Sequence, residues 1–210
     1  MGAPGCFVII DADGMRCYPD RWAGNVVCRT LVTGPRNATE TIESAHRRGD
    51  DTGAVWITEY GLDGGAVIDH PNRTLTWFGD YDLLHEPSTR FVVTGLLELL
   101  WPGWRLKWAT RGAADLAAAA GLARVDAAPR DGEQGQVAAP LSPAERLAAL
   151  DEAVGRLAAT VGQTSTIAAF DDRPPQELRW GRDRSMLSDE AWSAVLLAAE
   201  ELRARWTAEV

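Results

Sequence analysis

Four side chains able to bind a metal or exchange protons fall close together: Asp80, Asp82, His85 and Glu86, just after the aromatic pair Trp77-Phe78. Carboxylate oxygens with an imidazole nitrogen suit a hard or borderline divalent cation. Two carboxylates in different surroundings can also divide acid and base duties. Structural ion clusters are commoner than either, and Glu86 beside a helix N-terminus needs no further purpose. The reading therefore assigns no metal and no cofactor, and keeps Asp82 and His85 as candidate catalytic residues.

A second set is Tyr18-Pro19-Asp20-Arg21-Trp22, which places a phenol, a carboxylate, a guanidinium and an indole side by side. Tyr18 and Asp20 are the acid–base candidates, and Arg21 and Trp22 the binding candidates. Such a group can line a small-molecule pocket or anchor a protein interface. The plainer alternative is a structural corner, with Trp22 in the core and Asp20 capping the next segment.

The nine tryptophans supply a third set, from which Trp77, Trp104 and Trp108 are taken as binding candidates. In Trp104-Arg105-Leu106-Lys107-Trp108 the alternation puts both indoles and Leu106 on one face of a strand. An indole row can stack on an aromatic or cationic ligand, or pack a helix onto a sheet. The remaining polar signals are weaker. His70 lies in the turn tetrapeptide Asp69-His70-Pro71-Asn72, and His46 lies beside two arginines at a helix C-terminus. Both read as structural. Asp11-Ala12-Asp13-Gly14 opens like a calcium loop, but position 22 is Trp where the twelfth-place Glu belongs, so calcium is discarded. The chain holds no dinucleotide fingerprint, phosphate loop, zinc-protease motif or nucleophile elbow.

Composition bounds the function classes. The chain has 210 residues and a formal net charge of −9. That field repels phosphate backbones, so nucleic acid is not an expected partner. No apolar run approaches the ~18 residues that span a bilayer. Cys6, Cys17 and Cys28 form an odd set without metal spacing, and the first ten residues lack a basic leader. These features point to a cytoplasmic protein with reduced thiols. Lys107 is the only lysine among many arginines, a bias that fits a GC-rich bacterial genome.

The elements that must position these residues follow from periodicity and turn chemistry. Cys6 to Asp11 reads as a buried strand returning through Met15 to Tyr18, and Trp22 to Val32 as a helix ended by Gly34-Pro35. Asn37 is expected to cap a polar helix stopped by Gly49, and Ala54 to Thr58 to form a strand. Ala66 to Asp69 and Arg73 to Phe78 make a second hairpin. A helix from Pro87 to about Trp101, a strand over Trp104 to Trp108 and a short helix from Ala113 follow. Residues 127–140 read as a linker. Ser142 and Ser188 cap amphipathic helices, with strands expected at Thr164 to Phe170 and Glu177 to Trp180 between them.

The expected fold is α+β. A mainly antiparallel sheet comes from two β-hairpin–helix units with helices on one face, and two C-terminal amphipathic helices follow. The core domain spans 1–126, the linker 127–140, and the helical extension 141–210.

Trp101-Pro102-Gly103-Trp104-Arg105-Leu106-Lys107-Trp108-Ala109, with Gly112 and Asp115-Leu116, carries a family likeness. So do Gly64-Gly65-Ala66-Val67-Ile68-Asp69, Trp77-Phe78-Gly79, and Tyr18 with Trp22. Together they resemble small actinobacterial proteins of unknown function, over about residues 6–122. The resemblance implies a bacterial cytoplasmic setting and no activity, cofactor or site.

Two functions remain open at this level. One is a binding or interaction protein, of immunity or pathway-accessory type, that meets a protein partner or an aromatic small molecule. The other is a small enzyme of specialised metabolism using acid–base chemistry in an aromatic-lined pocket. A homodimer fits either.

Overall fold

The computed structural model describes residues 3–45, 55, 57, 61–79, 87–122, 141–158 and 187–209. The loop cluster of Asp80, Asp82, His85 and Glu86, the 127–140 linker and the strands expected at 164–170 and 177–180 lie outside them.

β1 (Gly5–Asp11) is apolar from Cys6 to Ile10 because both of its faces are covered there. Phe7 and Ile9 point into one hydrophobic cluster, and Cys6 and Val8 into a second on the other side of the sheet. Gly14, at φ +110°, turns the chain into β2 (Gly14–Asp20). β3 (Gly64–Asp69) and β4 (Thr74–Phe78) form the second hairpin, and β5 (Arg105–Trp108) completes a five-stranded sheet in the order β2-β1-β3-β4-β5.

This sheet is mixed, which corrects the mainly antiparallel expectation. The hairpins β1/β2 and β3/β4 are antiparallel, whereas β1/β3 and β4/β5 are parallel. Parallel pairing needs a long crossover. Between β4 and β5 the crossover includes α3, described below. The two hairpins do not make a repeated hairpin–helix unit either. With β1 parallel to β3 and the return arms outside, a twofold axis along the strands relates the hairpins, and that operation exchanges the faces of the sheet. Yet the helices after both hairpins pack on one face.

Those helices are α1 (Val27–Leu31), entered through a 3₁₀ turn at Ala23–Asn25, α2 (Gly34–Ala45) and α3 (Pro87–Leu100). Val27, Leu31, Ile42, Val92 and Leu96 join the cluster that holds Phe7 and Ile9. α5 (Pro143–Ala158) and α6 (Asp189–Thr207) pack against α3 and contribute Leu150, Leu157, Val195 and Trp206 to the same cluster. The short α4 (Ala113–Ala119) covers the opposite face with Leu116 and Ala117, so helices lie on both faces rather than one.

Three local expectations change. Gly34-Pro35 begins α2 instead of ending the preceding helix. Gly34 takes φ +82°, open to glycine, and Pro35 follows within the first turn, where a missing N–H costs nothing. Asn37 accordingly lies inside α2 and is not its cap. Val55 and Ile57, the described residues of the strand expected at 54–58, are helical. Their β-branched side chains serve burial there, and Ile57 is fully buried.

Candidate functional site

The sheet register collects most of the candidate aromatics into one line. Tyr18 pairs with Phe7, Phe7 with Ala66, Ala66 with Trp77, and Trp77 with Trp108. Residues paired across strands point to the same face. Tyr18, Trp77 and Trp108 therefore share one cross-strand row, with only Ala66 small.

Tyr18 is 3% exposed and belongs to the core under the helices. Asp20 uses its carboxylate locally, with Oδ1 accepting the Trp22 backbone N–H at 2.7 Å. Trp22 stays 38% exposed, beside an exposed Arg21. The corner at the end of β2 thus separates the buried phenol from the exposed indole and guanidinium.

At the other end of the row the side chains converge. Trp77 is fully buried and meets Trp108 edge to face, with ring centroids 4.8 Å apart at 90°. Trp108 is half-buried, and the Arg90 guanidinium carbon lies 5.0 Å from the centroid of its ring. Burial pulls the Arg90 pKa below the usual arginine range. Thr89, the neighbour of Arg90 in the first turn of α3, is also fully buried.

Two polar atoms in this region have no hydrogen-bond partner among the described residues: the Trp77 indole Nε1 and the Thr89 Oγ1. A buried donor left unpaired costs about 1–3 kcal/mol. Native interiors satisfy nearly all such groups, so each exception calls for an explanation. The site sits where the C-terminal ends of parallel β4 and β5 meet the N-terminus of α3, the location at which open α/β sheets bind ligands.

Trp104 does not join this group, although it lies on the same side of the chain four residues before Trp108. It sits beyond the N-terminal end of β5 and packs edge to face with Trp101 at 4.9 Å and with His70 at 5.3 Å. Trp101 Nε1 donates to the Leu31 carbonyl at 2.7 Å, and His70 Nε2 lies 3.0 Å from Thr39 Oγ1. These contacts tie the turn and α1 to the sheet. Every polar atom named in them has a partner.

Below the row, Asp115 anchors α4. Its carboxylate accepts the Arg111 backbone N–H at 3.0 Å and the Arg111 guanidinium at 2.8 and 2.9 Å. Burial alone would raise its pKa, but the Arg111 hydrogen bonds and charge outweigh it and hold the carboxyl below the usual range. Among the described residues, no three His, Cys, Asp or Glu side chains gather to hold a metal.

Sequence reasoning missed Thr89 and Arg90. The available signal was the polar run Ser88-Thr89-Arg90 opening an otherwise apolar helix, which reads on its own as an ordinary first turn. Comparison with known proteins finds no matching family model, curated protein or solved structure.

Proposed function

We propose that this chain is a cytoplasmic bacterial binding protein for a small planar aromatic carboxylate. Its site is the row end formed by Trp77, Trp108, Arg90 and Thr89. The single observation that carries this reading is the pair of buried polar atoms, Trp77 Nε1 and Thr89 Oγ1, that have no hydrogen-bond partner among the described residues. The indole N–H offers a donor and the threonine hydroxyl a donor or an acceptor. The half-buried indole of Trp108 adds an aromatic surface, and the Arg90 guanidinium over its ring a positive charge beside it. Few polar groups on aromatic walls are the usual composition of a small-molecule site. That no described helix is long and apolar enough to cross a membrane fits the setting.

Catalysis has less support. Tyr18 is packed into the core, and Asp20 Oδ1 accepts the Trp22 backbone N–H. A protein partner is the second reading, favoured by the exposed Arg21-Trp22 corner. Trp and Arg are the side chains most often found as interface anchors.

The test is calorimetric titration of the protein with benzoate and with indole-3-carboxylate. The expected result is saturable 1:1 binding of at least one of them, weakened about three- to tenfold by Trp108→Ala, since an aromatic pair is worth about 0.5–1.5 kcal/mol. Trp22→Ala should leave it unchanged. Absence of binding by both acids at millimolar concentration sinks the proposal.

A further inference from the structure

β5 is the last strand of the sheet, and among the described residues nothing pairs with its outer edge. Its backbone bonds fix which groups that edge presents. Arg105 and Ala109 donate their N–H groups to the Arg73 and Trp77 carbonyls at 2.8 and 2.9 Å. In a parallel ladder alternate residues bond to the same neighbour, so the backbone of Lys107 also faces β4, and Leu106 turns its N–H and C=O outward. The Leu106 side chain packs against the cluster under the helices.

The side chains that flank this backbone are cationic. Arg105 and Lys107 alternate with Leu106 and are exposed on the face that carries α4. Arg105 Nη2 donates to Thr74 Oγ1 at 3.3 Å. Arg73 joins them from the turn before β4. It is exposed, and a Cβ added to Gly103 would lie 3.7 Å from its Nη1, so its guanidinium reaches the entrance to β5. None of these three cations pairs with an acid among the described residues. On the same face Asp69 accepts the backbone and side-chain N–H groups of Asn72 at 3.0 and 2.8 Å, and Asp115 binds Arg111. A chain of formal charge −9 thus gathers three unpaired positive charges at one strand edge. With a Debye length of about 8 Å at physiological ionic strength, these cations and not the net charge govern a group docked against them.

We propose that the outer edge of β5 is a docking site for an acidic extended segment of a partner protein. The segment adds as a further strand, with acids beside Arg105 and Lys107 and an apolar residue beside Leu106. The Leu106 N–H and C=O supply backbone bonds, and the flanking side chains select the sequence, the usual division of labour in strand addition. Opposite charges facing each other across strands stabilise the pairing, and like charges destabilise it. That rule argues against a second copy of this chain: β5 paired antiparallel with itself about Leu106 sets arginine against lysine on both sides. Charged side chains commonly guard an edge strand from pairing with its own kind. Here the same charges choose a partner of opposite sign. The surface is independent of the proposed ligand site and shares no side chain with Trp77, Trp108, Arg90 or Thr89.

The experiment titrates the ¹⁵N-labelled full chain with the acetylated, amidated peptide Thr-Val-Glu-Val-Glu-Val-Thr. The control is Thr-Val-Val-Glu-Glu-Val-Thr, equal in composition and charge but with the alternation broken. Amide shifts give the affinities, and amide hydrogen exchange reads Leu106 directly. The alternating peptide should bind saturably and about threefold or more tighter than the control, slowing Leu106 exchange about threefold or more. Arg105→Glu combined with Lys107→Glu, both at exposed positions, should weaken this binding about fivefold or more and gain binding of the peptide with Lys in place of Glu. The proposal is overturned by no saturable binding at millimolar peptide, by equal affinity for the two acidic peptides, by unchanged Leu106 exchange at saturation, or by a charge-reversed variant that binds the acidic peptide as the wild type does.

Discussion

Trp77 and Trp101 form a matched pair that isolates the cost of an unpaired indole. Each is buried, at 0% and 1% exposure, and each packs edge to face on one tryptophan at nearly equal distance, 4.8 and 4.9 Å. They differ in one bond. Trp101 Nε1 donates to the Leu31 carbonyl, while Trp77 Nε1 has no acceptor among the described residues. Replacing either by Phe removes roughly 40 Å³ of side chain and costs about 1–2 kcal/mol in transfer and cavity terms. At Trp101 the change also strands the Leu31 carbonyl at the end of α1, adding about 1–3 kcal/mol. At Trp77 it removes a buried unpaired donor and recovers about 1–3 kcal/mol. Trp101→Phe should therefore cost about 2–5 kcal/mol, and Trp77→Phe should fall between about 2 kcal/mol stabilising and 1 kcal/mol destabilising. Urea unfolding of the ligand-free protein reads the difference as a shift in midpoint at constant slope. Equal losses in the two variants refute the reasoning, because they mean that the Trp77 N–H is satisfied in the free protein.

Other consequences follow from the packing. Gly65→Ala should cost about 3 kcal/mol or more, since the new Cβ would lie 2.2 Å from the Cys6 carbonyl oxygen in the sheet, a backbone atom that cannot step aside; thermal unfolding measures it. Ser188→Ala should lose about 1 kcal/mol by removing the hydroxyl that accepts the Ala191 N–H at the start of α6, again read from urea midpoints. Asp115 gives a pH dependence of definite sign. Its folded pKa is depressed, so its contribution is complete above the unfolded carboxylate pKa of about 3.9 and fades as pH falls through the folded value. Asp115→Asn should lower stability at pH 7 and flatten that acid limb, and unfolding curves taken from pH 7 down to pH 2 should show the two proteins converging.

Much of the fold can be read from local chemistry. The continuous apolar run of β1, the Pro71-Asn72 turn and the Ser188 cap each state their structure within a few residues. The helix start at Gly34-Pro35 is not legible locally, because Gly followed by Pro is also the usual end of a helix and a positive φ at the glycine suits either case. The parallel β1/β3 and β4/β5 pairings were not legible. They depend on crossovers that return each strand to the same direction, and no local pattern records that. The site divides in the same way. The spacing picks out Tyr18, Trp77 and Trp108 as aromatics, but that they share one row is a property of the register. Strand alternation puts Trp104, Leu106 and Trp108 against one cluster, and Trp104 stays apart from the row end because it lies four residues before Trp108 along the chain. Thr89 and Arg90 enter because α3 brings its first turn to the end of β4 and β5, a tertiary fact.

The central claim is that the Trp77 N–H waits for a ligand acceptor. The most direct measurement follows the indole N–H resonances of ¹⁵N-labelled protein during titration with indole-3-carboxylate, with Trp77 assigned by its loss in Trp77→Phe. The account predicts a saturable downfield movement of the Trp77 signal, with the Trp101 signal still, because Trp101 is already bonded to Leu31. A Trp77 resonance that stays in place at saturating acid, or one already downfield in the free protein, contradicts it.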